Sequence, residues 1–154
     1  MSGARAFLCA AAAAGLVHAA FSLYWALGGG WLLPTVGQWA VRLAATHPVQ
    51  TAAVLVGVAV VKALGAALPL VWARDRLRPR RAWGALFALG AAVLIGYGAL
   101  NVAVSWAVLS GVLPTPGGID RTAQLGHAAL WDPLFLVWGL CLAVGLRRTT
   151  RGAG

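Results

Sequence analysis

Three ionisable side chains, Lys62, Asp132 and His18, lie within long apolar stretches of the sequence. Lys62 is the only lysine, beside eleven arginines, and a lysine withdrawn from water can release its proton whereas arginine keeps its charge. An isolated charge at the centre of a membrane helix costs about 2.5–3.5 kcal/mol, so we predict that Lys62 forms an ion pair with Asp132. With His18 as a proton donor or acceptor, these three are the candidate catalytic residues, suited to proton transfer on a bound ligand.

Further polar and aromatic side chains recur at helical spacing and should face the interior of a bundle, because lipid offers no hydrogen bonds. The rise of ~1.5 Å per residue puts nearly all of them between the membrane midplane and its outer face. A regular α-helix separates Asp132 from His127 by roughly 140°, which predicts different walls for these two. The candidate ligand-binding residues are Asn101, Tyr97, Ser22, Trp25, Ser105, His127 and Trp131.

The elements that must position these residues are four apolar runs. The chain is 61% hydrophobic and only 10% charged, whereas soluble domains carry about 25% charged residues. Each run exceeds the ~20 residues that a membrane-spanning helix needs. The sequence therefore predicts an all-α integral membrane protein, a bundle of four transmembrane helices forming a single membrane domain over residues 1–154. The predicted spans are 6–27, 49–73, 82–110 and 125–146.

The arginines indicate the orientation of the bundle. Nine of them lie in the N-terminal segment, the connector between the second and third spans and the C-terminal tail, and two lie in the other connectors. Because positive residues favour the cytoplasmic side, we expect both termini in the cytoplasm and a multi-pass protein of a bacterial inner membrane. The net charge of +9 is then explained by lipid headgroups, and we expect no nucleic-acid partner.

Two local features bear on the shape of the outer half. Val36, Trp39, Ala40 and Leu43 recur at helical spacing in the first outer connector, which predicts a short helix in the membrane interface, with an ordered loop as the alternative. Pro133 cannot donate a backbone hydrogen bond, so we expect the fourth span to be disturbed and to kink at this level.

Metal and cofactor chemistry finds little support in the pattern. His18 and His127 lie on different spans, as axial haem ligands would, but their estimated depths differ by ~9–12 Å. No cluster of ligands with zinc-site spacing is present. The sequence predicts no cofactor and no metal, with haem kept as an alternative.

Two segments carry a resemblance to a known family. The stretches HAAFSLYWALGG at 18–29 and HAALWDP at 127–133 resemble an uncharacterised bacterial family of small four-helix membrane proteins, known only as a domain of unknown function. The resemblance extends over essentially the whole chain and implies the same topology, but no activity. Small multidrug exporters and sterol-isomerase-type proteins are poorer comparisons, because this chain has no glutamate and only one acid within its spans.

Two functions from different classes remain open at this point. The first is binding, with or without chemical conversion, of a lipophilic small molecule such as an isoprenoid, quinone or lipid in a polar pocket in the outer half of the bundle. The alternative is a structural or accessory membrane protein without catalysis, whose Lys62–Asp132 pair serves helix assembly. Its partners would be the lipid bilayer and either further copies of the chain or a larger membrane protein.

Overall fold

The computed structural model describes residues 2–151, and this part of the chain is helical with no β-strand. A 3-10 turn at Leu33–Thr35 precedes the second helix, and a π-helical turn at His127–Trp131 joins the fifth helix to the sixth. The helices are α1 Ser2–Ala26, α2 Gln38–Thr46, α3 Pro48–Trp72, α4 Arg80–Leu109, α5 Arg121–Gly126 and α6 Asp132–Arg151.

The four predicted spans are confirmed as helices long and apolar enough to cross a membrane. Helices α1, α3 and α4 begin and end within a few residues of the limits predicted for the first three spans. The fourth consists of α5, the π turn and α6 in one continuous stretch, Arg121–Arg151. It begins earlier than predicted because Asp120 caps it, its Oδ1 accepting a hydrogen bond from the backbone N–H of Ala123 at 3.1 Å.

The short helix predicted in the first outer connector is also confirmed, as α2. Its single buried residue is Ala40, while Trp39 on the same helix is exposed. Only His47 separates α2 from α3. Pro48 suits the first position of α3, because it has no backbone N–H to leave unpaired there.

The spans pack in the order α3, α1, α6, α4. Helix α1 lies against both α3 and α6, and α6 lies against α4, so α1 and the fourth span form the centre. Helices α3 and α4 contact each other much less. They meet close to their shared connector, where the ring of Trp72 packs edge-on against Phe87 at 6.1 Å.

The interior divides into an apolar and a polar half. We call the end of the bundle that carries residues 27–47 and 110–120 the outer end, following the predicted orientation, and the opposite end the inner end. The apolar core lies toward the inner end and includes Leu8, Trp72, Phe87, Trp138 and Leu142. The buried polar side chains lie toward the outer end: His18, Ser22, Ser105 and Asp132.

Small residues bring the helices together, as is common in membrane bundles. A Cβ atom added to Gly15 would lie 2.7 Å from the ring of Trp138. One added to Gly98 of α4 would lie 2.8 Å from the backbone of α6, at the carbonyl of Asp132. Gly15 therefore sets how closely α1 approaches the fourth span at the apolar core, and Gly98 sets how closely α4 approaches it at the level of the polar half.

Candidate functional site

His127 and Asp132 are joined directly, contrary to the prediction that they face different walls. His127 Nδ1 lies 2.9 Å from Asp132 Oδ2, and Asp132 is 1% exposed. The prediction was wrong because it assumed α-helical geometry throughout. In the π turn at His127–Trp131 a residue contacts its fifth neighbour, and Pro133, which cannot donate to the carbonyl of Ala129, favours such an interruption.

The hydrogen bond that His127 makes with Val36 determines how many protons the His127–Asp132 pair carries. His127 Nε2 lies 3.2 Å from the carbonyl oxygen of Val36, and a carbonyl only accepts, so Nε2 carries a proton. A further proton must lie between His127 Nδ1 and Asp132 Oδ2, since two lone pairs 2.9 Å apart would repel each other. Whichever atom holds that proton, the pair is neutral as a unit and leaves no negative charge for another residue.

The same region ties the first outer connector to the fourth span. Trp131 Nε1 donates to Thr35 Oγ1 at 2.9 Å, and the backbone N–H of Gln38 donates to Asp120 Oδ2 at 3.1 Å. Together with the bond to the carbonyl of Val36, these are three hydrogen bonds between residues 35–38 and residues 120–131, which we call the connector bonds. They fix the start of α2 against the fourth span.

Lys62 has a different partner from the one predicted. Its Nζ donates to Ser22 Oγ at 3.0 Å, and that hydroxyl donates in turn to the carbonyl oxygen of His18 at 3.1 Å. The ammonium also lies 5.5 Å from the centre of the Phe135 ring, a cation–π distance. The predicted ion pair with Asp132 is wrong, because Asp132 bonds to a histidine of its own span instead.

Phe135 organises the residues at this level and was not singled out from the sequence. The ring of His18 stacks on it at 3.9 Å, and Tyr97 meets it edge-on at 5.6 Å. His18 is held by a hydrogen bond from Nε2 to the carbonyl oxygen of Trp131 at 3.0 Å. The structure thus gathers Lys62, His18 and Tyr97 around one ring, and a phenylalanine within an apolar run gives no signal of such a position.

The remaining predicted ligand-binding residues do not join this group. Asn101 Nδ2 donates to the carbonyl oxygen of Tyr97, on its own helix, at 2.9 Å. Ser105, one turn further along α4, is buried. Trp25 Nε1 donates to the carbonyl oxygen of Trp31 at 2.9 Å, which closes the loop after α1.

A groove of about 750 Å³ lies at the outer end, between the last turn of α1, the connector with α2, and the outer half of α3. Most of its lining side chains are apolar, and Trp25 is the one predicted site residue among them. We call this space the outer groove. Its lining includes Trp25, Ala26, Gly28, Leu33, Val36, Trp39, Ala40, Leu43, Leu55 and Val58, with His47, Gln50 and Thr51 as its polar members.

Lys62 lies just beyond the inner end of the outer groove. Val58 is the groove residue furthest along α3, and Lys62 follows one helical turn later, about 6 Å along the axis. On α1, Ser22 lies about one turn before the groove residue Trp25, and its Oγ accepts the hydrogen bond from Lys62. Side chains on a helix tilt toward its N-terminus, so the stem of Lys62 leans toward the groove.

The histidines are poorly placed for a haem or a metal. Both ring nitrogens of His127 are engaged, with Asp132 and with Val36, so neither directs a lone pair into open space. His18 is sandwiched against Phe135 and bonded to the backbone through Nε2. Within residues 2–151 no three His, Cys, Asp or Glu side chains cluster as metal ligands would. The residues present do not fit the haem alternative.

Comparison with known proteins bears out the resemblance carried by the two sequence stretches. The family described as "Protein of unknown function (DUF3995)" matches residues 15–142. No curated protein and no solved structure matches the chain. The matched range includes all of α2, α3, α4 and α5 together with about half of α1 and about half of α6, and the chain therefore belongs to the DUF3995 family.

Proposed function

We propose that this multi-pass membrane protein binds a lipophilic small molecule in the outer groove. The observation that carries the proposal is the groove itself, whose volume of about 750 Å³ falls in the range of ~300–1,000 Å³ that small-molecule sites occupy. Its apolar lining suits an isoprenoid, a quinone or an acyl chain. In a bacterial inner membrane with cytoplasmic termini, as the arginines favour, the ligand would enter from the outer leaflet.

The groove is supported as a built site by the way its wall is held. Helix α2 and the turn before it form one side, and the three connector bonds attach that side to the fourth span. A wall fixed in this way is preformed, and preformed sites lose less entropy when a ligand binds. Exposed Val54 on the α3 side leaves the groove open sideways, toward the surface that lipid covers.

Chemical conversion of the ligand is a further step of the same proposal. Lys62 and His18 are the proton-exchanging groups nearest to the inner end of the groove, and Lys62 has hydrogen-bonding capacity beyond its bond to Ser22. A lysine in this position could give a proton to a ligand oxygen or take one from a ligand carbon. Asp132 would act through His127 by fixing the groove wall, which makes it a positioning residue rather than a catalytic one.

The test is to fill the groove and measure ligand retained after gentle extraction. Val58→Trp places a large side chain in the groove. Val61→Trp is the control, because Val61 lies on the same helix, is 71% exposed and lines no part of the groove. The protein would be extracted into native lipid discs and its bound small molecules identified by mass spectrometry. We expect a lipophilic compound in the wild type and in Val61→Trp, and its loss in Val58→Trp. Equal retention in the two variants, or no enriched compound in the wild type, would overturn the proposal.

The second candidate is a structural or accessory protein, and one observation favours it. The polar side chains of the outer half largely find hydrogen-bond partners within the protein: His127 bonds to Asp132, and His18 bonds to a backbone carbonyl. Removing both members of a buried pair is tolerated better than removing one. If His127→Leu with Asp132→Leu restores the fold lost in either single variant, and the double variant still assembles with a partner or a second copy, the accessory role gains support.

A further inference from the structure

We infer that the ligand of the outer groove is an amphiphile with a single carboxylate head group, which pairs with Lys62 at the inner end of the groove. This inference rests on the proposed binding function and adds the chemical class of the ligand. Three observations carry it: the charge balance of the interior, the hydrogen-bonding capacity of Lys62, and its position relative to the groove.

Every acidic side chain of the protein bonds to a group other than Lys62, so none is left to balance the charge of the lysine. The chain has three acids, Asp75, Asp120 and Asp132. Asp75 pairs with Arg80 in the inner connector, and Asp120 caps α5 and holds α2 through backbone N–H groups. Asp132 shares its proton with His127 in a unit that is neutral overall. A charged lysine at this depth is therefore unbalanced within the chain, which is costly in a membrane.

The hydrogen bonds of Lys62 are also incomplete. An ammonium has three donors, and within residues 2–151 its hydrogen-bond acceptor is Ser22 Oγ. The hydroxyl proton of Ser22 goes to the carbonyl of His18, so its lone pair is directed at the lysine, which suits a charged ammonium. The ring of Phe135 covers another side at 5.5 Å. Two donors remain, and the two oxygens of a carboxylate can accept from both.

The position of Lys62 sets how the ligand lies. Its stem leans toward Val58, the last groove residue on α3. A carboxylate at the ammonium would place the adjoining hydrocarbon against Leu55 and Val58, along the apolar lining. One carboxylate also balances one lysine, whereas a phosphate monoester carries ≈ −1.5 to −2 charges and would leave the site negative. These arguments favour a fatty acid or a similar monocarboxylate.

The experiment compares two probes that differ only in the head group, oleate and oleyl alcohol. Binding to the purified protein in nanodiscs would be measured for the wild type, Lys62→Met and Val58→Trp. Because a carboxylate adds the attraction of an opposite charge and a second acceptor oxygen, which the hydroxyl group of an alcohol lacks, we expect the wild type to bind oleate about tenfold more tightly than oleyl alcohol. Lys62→Met should bind both probes equally, and Val58→Trp should bind neither.

The outcomes separate this inference from the proposed function. If neither probe binds the wild type, the groove proposal fails and the inference fails with it. If both bind the wild type with equal affinity, the groove stands and the carboxylate inference is overturned. Binding of oleyl alcohol by Lys62→Met shows that this variant is folded. Should it not fold, infrared spectra of carbon-13-labelled oleate bound to the wild type decide, because an ionised carboxylate band is expected and a protonated acid band overturns the inference.

Discussion

One methyl group added at Gly98 of α4 would perturb the close contact between α4 and α6 at the level of Asp132. A Cβ atom there would lie 2.8 Å from the carbonyl oxygen of Asp132 and 2.8 Å from the backbone nitrogen of Leu136. Neither atom can move unless α6 moves as a whole. We expect Gly98→Ala to lower the free energy of unfolding by about 1–3 kcal/mol, the usual cost of overpacking. That corresponds to a change of roughly 5- to 150-fold in the folding equilibrium.

Gly96 provides the matched control on the same helix. A Cβ atom at Gly96 meets nothing within 4 Å, and alanine is favoured over glycine in a helix by up to ~1 kcal/mol. Gly96→Ala should therefore be neutral or stabilising. Unfolding of both variants by dodecyl sulfate in mixed micelles can be followed through the fluorescence of the eight tryptophans. If the two variants unfold at the same dodecyl sulfate fraction, the close contact between α4 and α6 is refuted.

Three further predictions follow from the described contacts. Gly126→Ala should destabilise the protein at least as much as Gly98→Ala in the same unfolding assay, because its Cβ would overlap the carbonyl oxygen of Thr35; a result matching Gly96→Ala contradicts this packing. Asp132→Asn can still bond to His127 and should be milder than Asp132→Leu, which leaves that ring nitrogen unpaired at a cost of about 1–3 kcal/mol; the reverse order in the same assay argues against the pair. With cytoplasmic termini, a C-terminal green fluorescent protein should fluoresce and alkaline phosphatase fused there should be inactive, and the opposite pattern means an inverted bundle.

The spans and the connector helix could be predicted because each depends on a local pattern. A long apolar run is a sufficient signal for α3 or α4, and the spacing from Val36 to Leu43 indicated α2 while leaving an ordered loop as the alternative. The concentration of polar side chains toward the outer end also followed from counting residues along each helix. These features need no knowledge of which helix lies beside which.

The contacts within the site depend on features that a regular helical count does not contain. The π turn changes the direction of Asp132 relative to His127, so that a pair assigned to different walls forms a bond. Once Asp132 is engaged there, Lys62 turns to Ser22, a partner that only the neighbouring position of α1 and α3 makes available. Phe135 gains its role from being next to three helices at once, and its own residue type does not reveal it.

The connector bonds also have a consequence for the order in which the protein is made. They join residues separated by 96, 91 and 82 positions along the chain. At ~5–20 residues per second, α2 leaves the ribosome roughly 4–20 s before its anchoring residues. During that interval its exposed tryptophan and leucine face lipid or the insertion machinery without an anchor. A nascent chain that stalls before Asp120 would leave α2 unattached, so the last span to emerge determines when the first connector is fixed in place.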